Sequence, residues 1–340
     1  MSVTEHCVTS APHLSSPATK LRRGEFWVFT GSETSRCASY VHWEAPAALT
    51  GQLPVVLVHG GGGQSIDWTT TPNGDPGWAR LLVEAGHPVY LPDRPGHGRS
   101  PYRAGIHGDL LPAAGAADLQ RLFAPTPGDD RYETHTGWPW ARTPGTAQFD
   151  ALTSSAQPLP RDIAVGHRLD GAMLAALLEV IGPAVVVTHS AGAPAGWIAA
   201  QRRPDLVASV VAVEPLGPPY RDLGRRGRLT YGVTAVPLDD RACTAATDPT
   251  RPPRLLGLTA TPIAVVTADA SGRYDDDLAT VGFLRAAGAR VDHLVLADLG
   301  VPGHGHGVIF ENGHARALSI IRNWLTASPS RPTSADKGLS

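Results

Sequence analysis

The sequence predicts an α/β domain built on a mainly parallel sheet with helices on both faces. From residue 54 onward, short apolar runs alternate with stretches of helical spacing. That is the pattern of parallel strands joined by crossover helices. One run, Val185-Val186-Val187-Thr188-His189, reaches Ser190-Ala191-Gly192 and passes directly into an Ala-rich segment holding Trp197 and Ile198. Polar residues also recur where the expected strands stop: His59, Ser190, Glu214 and the His304/His306 loop. Parallel α/β sheets present ligands at those carboxyl ends.

The chain has 340 residues, 42% of them hydrophobic, enough for a large core within one domain carrying insertions. Its formal net charge of -2 gives no electrostatic reason to expect nucleic acid or an anionic membrane as partner. Lys20 and Lys337 are the only lysines. Cys7, Cys37 and Cys243 are far apart and odd in number, which fits neither a disulfide framework nor a metal spacing. With no apolar leader-like run near residue 1, the expectation is a cytoplasmic protein. No run is long enough to span a membrane.

Residues 1–22 and 327–340, rich in Ser, Thr and Pro, read as disordered ends of a single domain over 23–326. Glu25 to Thr30 and Ser39 to Trp43 alternate as two antiparallel strands. Pro54 to Val58 is an apolar strand that stops at His59-Gly60-Gly61-Gly62-Gly63. A glycine run there frees backbone N–H groups to point into a site. A phosphate cradle is a poor match, since no Lys-Ser/Thr follows. Trp78 to Gly86 is helical, and Pro88 to Leu91 a strand leading into the tight loop 93–100. Segments 103–160 and 216–260 lose periodicity and read as cap excursions. Ile163 to Ile181 is an amphipathic helix with Val165, Leu169, Met173 and Leu177 on its apolar face. Leu206 to Val213 is a buried strand ending at Glu214-Pro215. Beyond it come strand 262–267, helix 276–287, strand 291–296, the loop 300–307 and a last helix 315–325.

A serine held on a sharp strand-to-helix turn needs small neighbours, and Ala191 and Gly192 supply them. Serine is a poor nucleophile until an imidazole lies within hydrogen-bond reach and a carboxylate orients that imidazole. The order Ser190, Glu214, then His304 or His306 is the order of the α/β-hydrolase fold. The Ala191 N–H and the Gly61 N–H are the candidate donors for an oxyanion. His59 reads as a residue holding its own loop, and His189 and Trp197 as structural. Asp269 competes with Glu214 for the acid, because it follows the next-to-last expected strand by about the usual spacing.

Over residues 24–326 the chain also resembles the bacterial α/β-hydrolase esterases of the esterase 713 type. The resemblance is carried by Val58-His59-Gly60, the run Asp67 to Gly74, Pro95 to Ser100, Thr188-His189-Ser190, Val213-Glu214-Pro215, and Leu299-Gly300-Val301 followed by Gly303 and His306. It implies carboxylic-ester hydrolysis without metal, with Glu214 as acid and His306 as base. Thr188 in place of the usual glycine matches that group. Gly61-Gly62 and Ala191-Gly192 depart from it and leave pocket shape and substrate open.

His304, His306 and His314 with Asp298 permit a zinc alternative, although a catalytic site wants three ligands at matched geometry. Arg221, Arg225, Arg226 and Arg228 read as a solvated face, with an anion site as the alternative. The expected function is therefore a serine hydrolase acting on a small-molecule ester or lactone, with no cofactor. Acyl transfer or cyclisation by the same residues is the second expectation, and a silent binding module the third. The long excursions could also pack a homodimer.

Overall fold

Each strand of the central sheet sends successive side chains to opposite faces, and two separate cores result. Val56, Val58, Val186, Val210, Ala212, Ile263 and Val265 belong to one core. Val55, Leu57, Val185, Val187, Val211, Val213, Ala264 and Val266 belong to the other. A one-residue slip of any of these strands would exchange its two faces, so helices covering both sides fix the register. The computed structural model describes residues 19–238, 252 and 254–327.

The elements, in chain order, are β1 (Leu21–Thr30), β2 (Cys37–Pro46), β3 (Val55–Val58), α1 (Trp78–Glu84), β4 (Val89–Pro92), α2 (Ala104–His107), β5 (Leu110–Leu111), α3 (Ala116–Phe123), α4 (Ala147–Ser155), β6 (Leu159–Pro160), α5 (Ile163–Ile181), β7 (Ala184–His189), α6 (Ala193–Arg202), β8 (Val207–Val213), α7 (Leu256–Ala260), β9 (Pro262–Thr267), α8 (Tyr274–Ala286), β10 (Arg290–Val295) and α9 (His314–Ala327). Eight strands form one sheet in the order β1-β2-β4-β3-β7-β8-β9-β10. In this sheet β1 and β2 pair antiparallel, β2 meets β4 antiparallel, and every further pairing along that order is parallel, while β5 and β6 pair antiparallel in a separate two-stranded sheet. Helices α5 to α8 contribute to the first core, α1 and α9 to the second.

Two expectations change. β1 begins at Leu21, so the arm expected over 1–22 overlaps a paired strand at Leu21 and Arg22. The segment expected to be irregular through 260 ends in helix α7. Residues 1–18, 239–251, 253 and 328–340, with Cys7 and Cys243, lie outside the described residues. Helix α5 has the expected bounds. Asp162 caps it by accepting the Ala164 N–H at 2.9 Å, and Gly182 ends it at φ 81°. No helix among the described residues is long and apolar enough to cross a membrane.

Candidate active site

β7 ends one residue before Ser190, whose backbone takes φ 50°, a region a serine occupies only under constraint. The turn closes because Gly192 has no side chain: a Cβ there would stand 2.6 Å from the His59 carbonyl oxygen. Glu214 ends β8 in the same way, again at φ 50°. Two neighbouring parallel strands thus lift one hydroxyl and one carboxylate above the same edge of the sheet. The loop after β10 brings the third group. His306 Nε2 lies 3.0 Å from Ser190 Oγ, and its Nδ1 lies 3.1 Å from Glu214 Oε2. Ser190 is half-exposed, whereas His306 and Glu214 are buried.

The glycine run after β3 packs beside the serine. A Cβ on Gly60 would stand 3.4 Å from Ser190 Cβ, and one on Gly61 would stand 3.3 Å from Ala191 Cβ. Gly61 and Ala191 are therefore neighbours at the turn. His59 holds this loop as expected: its Nδ1–H donates to the Gly60 carbonyl at 2.9 Å, and its Nε2 accepts the Arg94 N–H at 2.9 Å. Burial keeps the ring neutral by pushing its pKa well below the usual histidine value.

Known proteins carry this architecture. The α/β hydrolase fold family matches residues 54–231. "Probable secreted lipase phiG" of Fungal sp. (strain ATCC 74256) is 31% identical over 322 residues, which cover 87% of this chain and 88% of that protein. The chain belongs to the α/β-hydrolase fold family. A bacterial esterase structure superposes with a TM-score of 0.63 at 20% identity, covering 92% of this chain and 98% of that one.

In this α/β-hydrolase, Glu214 Oε1 accepts the Ala268 N–H at 2.6 Å, and Arg273 Nε stands 3.7 Å from Oε2. Burial raises the Glu214 carboxyl to about 7, opposed by Arg273, the Ala268 amide and Ser271. Burial, with Arg273 and Arg131 nearby, lowers His306 well below the ordinary imidazole value. Asp269 turns away. Both its oxygens accept the Gly303 N–H at 3.0 Å, so it ties down the loop that carries His306.

His304 does not reach the serine. Its ring is buried against Gly313, neither nitrogen has a hydrogen-bond partner, and its carbonyl accepts the Ala270 N–H at 2.8 Å. His314 opens α9. Among the described residues no group of three His, Cys, Asp or Glu side chains is placed to hold a metal ion. His189 holds the loop that carries His306, donating from Nε2 to the His306 carbonyl at 2.8 Å. Trp197 is fully buried. The arginine cluster divides: Arg225 and Arg228 are exposed and Arg226 is half-buried, while Arg221 pairs with Asp276 at 2.9 Å.

Sequence reasoning missed several groups around the site. Phe123, from the excursion, stacks on the His306 ring with centroids 5.4 Å apart. Leu159 approaches Gly61, where a Cβ would lie 3.8 Å from Leu159 Cδ1. Arg94 and Asp170 form a buried ion pair at 2.5 Å, and Arg94 Nη1 donates to the Gly60 carbonyl at 3.1 Å. These contacts join distant segments and leave no local signature.

Proposed function

We propose that this α/β-hydrolase cleaves a carboxylic ester or lactone through an acyl-enzyme on Ser190. The observation that supports it best is the unbroken chain from Ser190 Oγ through His306 to Glu214, at 3.0 and 3.1 Å. Ser190 Oγ attacks the carbonyl carbon and passes its proton to His306 Nε2. Glu214 holds Nδ1–H and offsets the imidazolium charge. The carbonyl oxygen becomes an oxyanion, which the Gly61 and Ala191 N–H groups receive. Collapse expels the alcohol, which takes the proton from His306. Water then repeats the sequence on the acyl-enzyme and releases the acid. Phe123, stacked on His306, and Leu159, close to Gly61, place apolar side chains beside the serine turn, which suits an apolar acyl or alcohol group.

The test is a screen of aryl and alkyl esters of graded acyl length, lactones included, on the native protein and Ser190→Ala. Native turnover should fall by several orders of magnitude in the variant, on the order of 10⁶ where a whole triad depends on its nucleophile. Near-native turnover in Ser190→Ala would end the proposal. Absence of labelling by a fluorophosphonate would point instead to a silent fold.

A further inference from the structure

Neither glycine that flanks His306 has room for a side chain: a Cβ on Gly305 would stand 2.7 Å from the His135 ring, and one on Gly307 would stand 2.5 Å from the Phe310 ring. The Cβ on Gly305 would also stand 3.1 Å from Glu311 Oε1, and the one on Gly307 would stand 3.0 Å from the same oxygen. On the far side, a Cβ on Gly137 would stand 3.1 Å from Glu311 Oε2. Three glycines thus form a cradle around one fully buried carboxylate. Glu311 Oε2 accepts the Gly305 N–H at 2.8 Å. Oε1 faces Nε2 of the buried His135 at 3.1 Å, off the line of a hydrogen bond. A guanidinium can only donate, and Arg142 Nη1 lies 3.1 Å from His135 Nδ1. Nδ1 is therefore the acceptor, and the ring proton sits on Nε2, toward Glu311. Arg142 also donates to the His135 carbonyl. The backbone closes around the pair: Gly137 N–H donates to the Gly303 carbonyl at 2.7 Å, and Asn312 N–H to the Gly137 carbonyl at 2.8 Å.

We propose that Glu311 and His135 form a positioning pair for His306, a role that rests on reading His306 as the general base. A buried carboxylate is costly unless its environment requires it. The chemistry at Ser190 uses Glu214 and has no step for Glu311. What Glu311 does hold is the amide immediately before His306, and it draws the excursion carrying Phe123 and His135 onto that loop. Its charge also bears on the catalytic acid, raising the Glu214 carboxyl. The pair acts through His306 and does not touch substrate.

Glu311→Gln keeps the volume and can still accept the Gly305 N–H. Its amide NH₂ then meets the His135 Nε2–H, donor against donor. In the folded variant, kcat on the best ester should fall on the order of 10²-fold, the cost of a small displacement of a reacting group, with KM unchanged. Removing a negative charge also favours the unprotonated forms of Glu214 and His306. The acidic limb of kcat/KM should therefore move to lower pH, which a mere structural brace would not cause. His135→Gln, which keeps the carboxylate, should lower kcat less and leave the acidic limb near its native position. It decides the matter if Glu311→Gln does not fold. Native kcat with an unmoved acidic limb in a folded variant would overturn the pair's role. Ser190→Ala and His306→Ala belong in the same assay. If those two are inactive while Glu311→Gln is fully active, only the positioning role falls. If they retain turnover, the reading of the whole site falls.

Discussion

At the scale of single residues, Glu214 and Asp269 differ in what each carboxylate is bonded to, and that difference favours Glu214 as the proposed acid. Glu214 gives one oxygen to His306 Nδ1 and the other to the Ala268 N–H. Asp269 gives both to the Gly303 N–H. Glu214→Gln removes the charge that offsets an imidazolium and puts an amide where Nδ1–H needs an acceptor. Turnover should fall by a factor on the order of 10³ to 10⁴, as when the trypsin aspartate becomes asparagine. Asp269→Asn keeps an acceptor for Gly303 and should cost far less. Kinetics of both variants on one ester distinguish the two: a severe loss confined to Asp269→Asn would reverse the assignment. His306→Ala should match the loss in Ser190→Ala, whereas His304→Ala should be much milder, since His304 packs against Gly313 and bonds to neither partner.

Among the elements, what could be read from sequence was what repeats locally. The valine runs of β3, β7 and β8 announced strands buried on both faces, and α5 carried its apolar spacing within its own bounds. Ser190 and Glu214 were legible because each stands directly at a strand end. The excursion over 103–160 was not, because its order comes from partners elsewhere: Gly303 for Gly137, Glu311 for His135, His306 for Phe123. The Arg94–Asp170 pair is of the same kind, joining the start of the loop after β4 to the middle of α5 across 76 residues. Both partners are nearly inaccessible to water. Asp170→Asn would leave the Arg94 guanidinium buried without its counter-charge. Breaking such a pair from one side costs about 3–5 kcal/mol. Arg94 also holds the Gly60 carbonyl, so activity should weaken with stability. Urea unfolding of Asp170→Asn tests this, and a midpoint equal to the native one would show that the pair contributes nothing.

Across the whole molecule, the many buried histidines tie folding to pH. Burial lowers His97 to about 4, His167 and His189 to about 3, and His59 well below its usual value. Each is neutral in the fold and takes up a proton when unfolded below about pH 6.5. A lowered histidine therefore contributes stability that is present above its unfolded value and lost as pH falls. Two buried carboxyls work the other way: Asp67 is raised to about 7 and Asp277 well above its usual value, chiefly by burial. They keep protons in the fold that the unfolded chain releases above about pH 4. Glu214 and His306 shift in opposite directions and offset each other. The lowered histidines outnumber the raised carboxyls, with His293 and His314 lowered as well, so unfolding takes up protons on balance and stability falls as pH drops below the unfolded histidine value. Urea midpoints measured at pH 7.5, 6 and 5 should therefore drop steeply over the last interval. His167→Gln, which keeps an acceptor for the Ala235 N–H, should make the drop shallower. A midpoint that stays level or rises from pH 6 to 5 would show that the buried carboxyls, not the histidines, govern the balance.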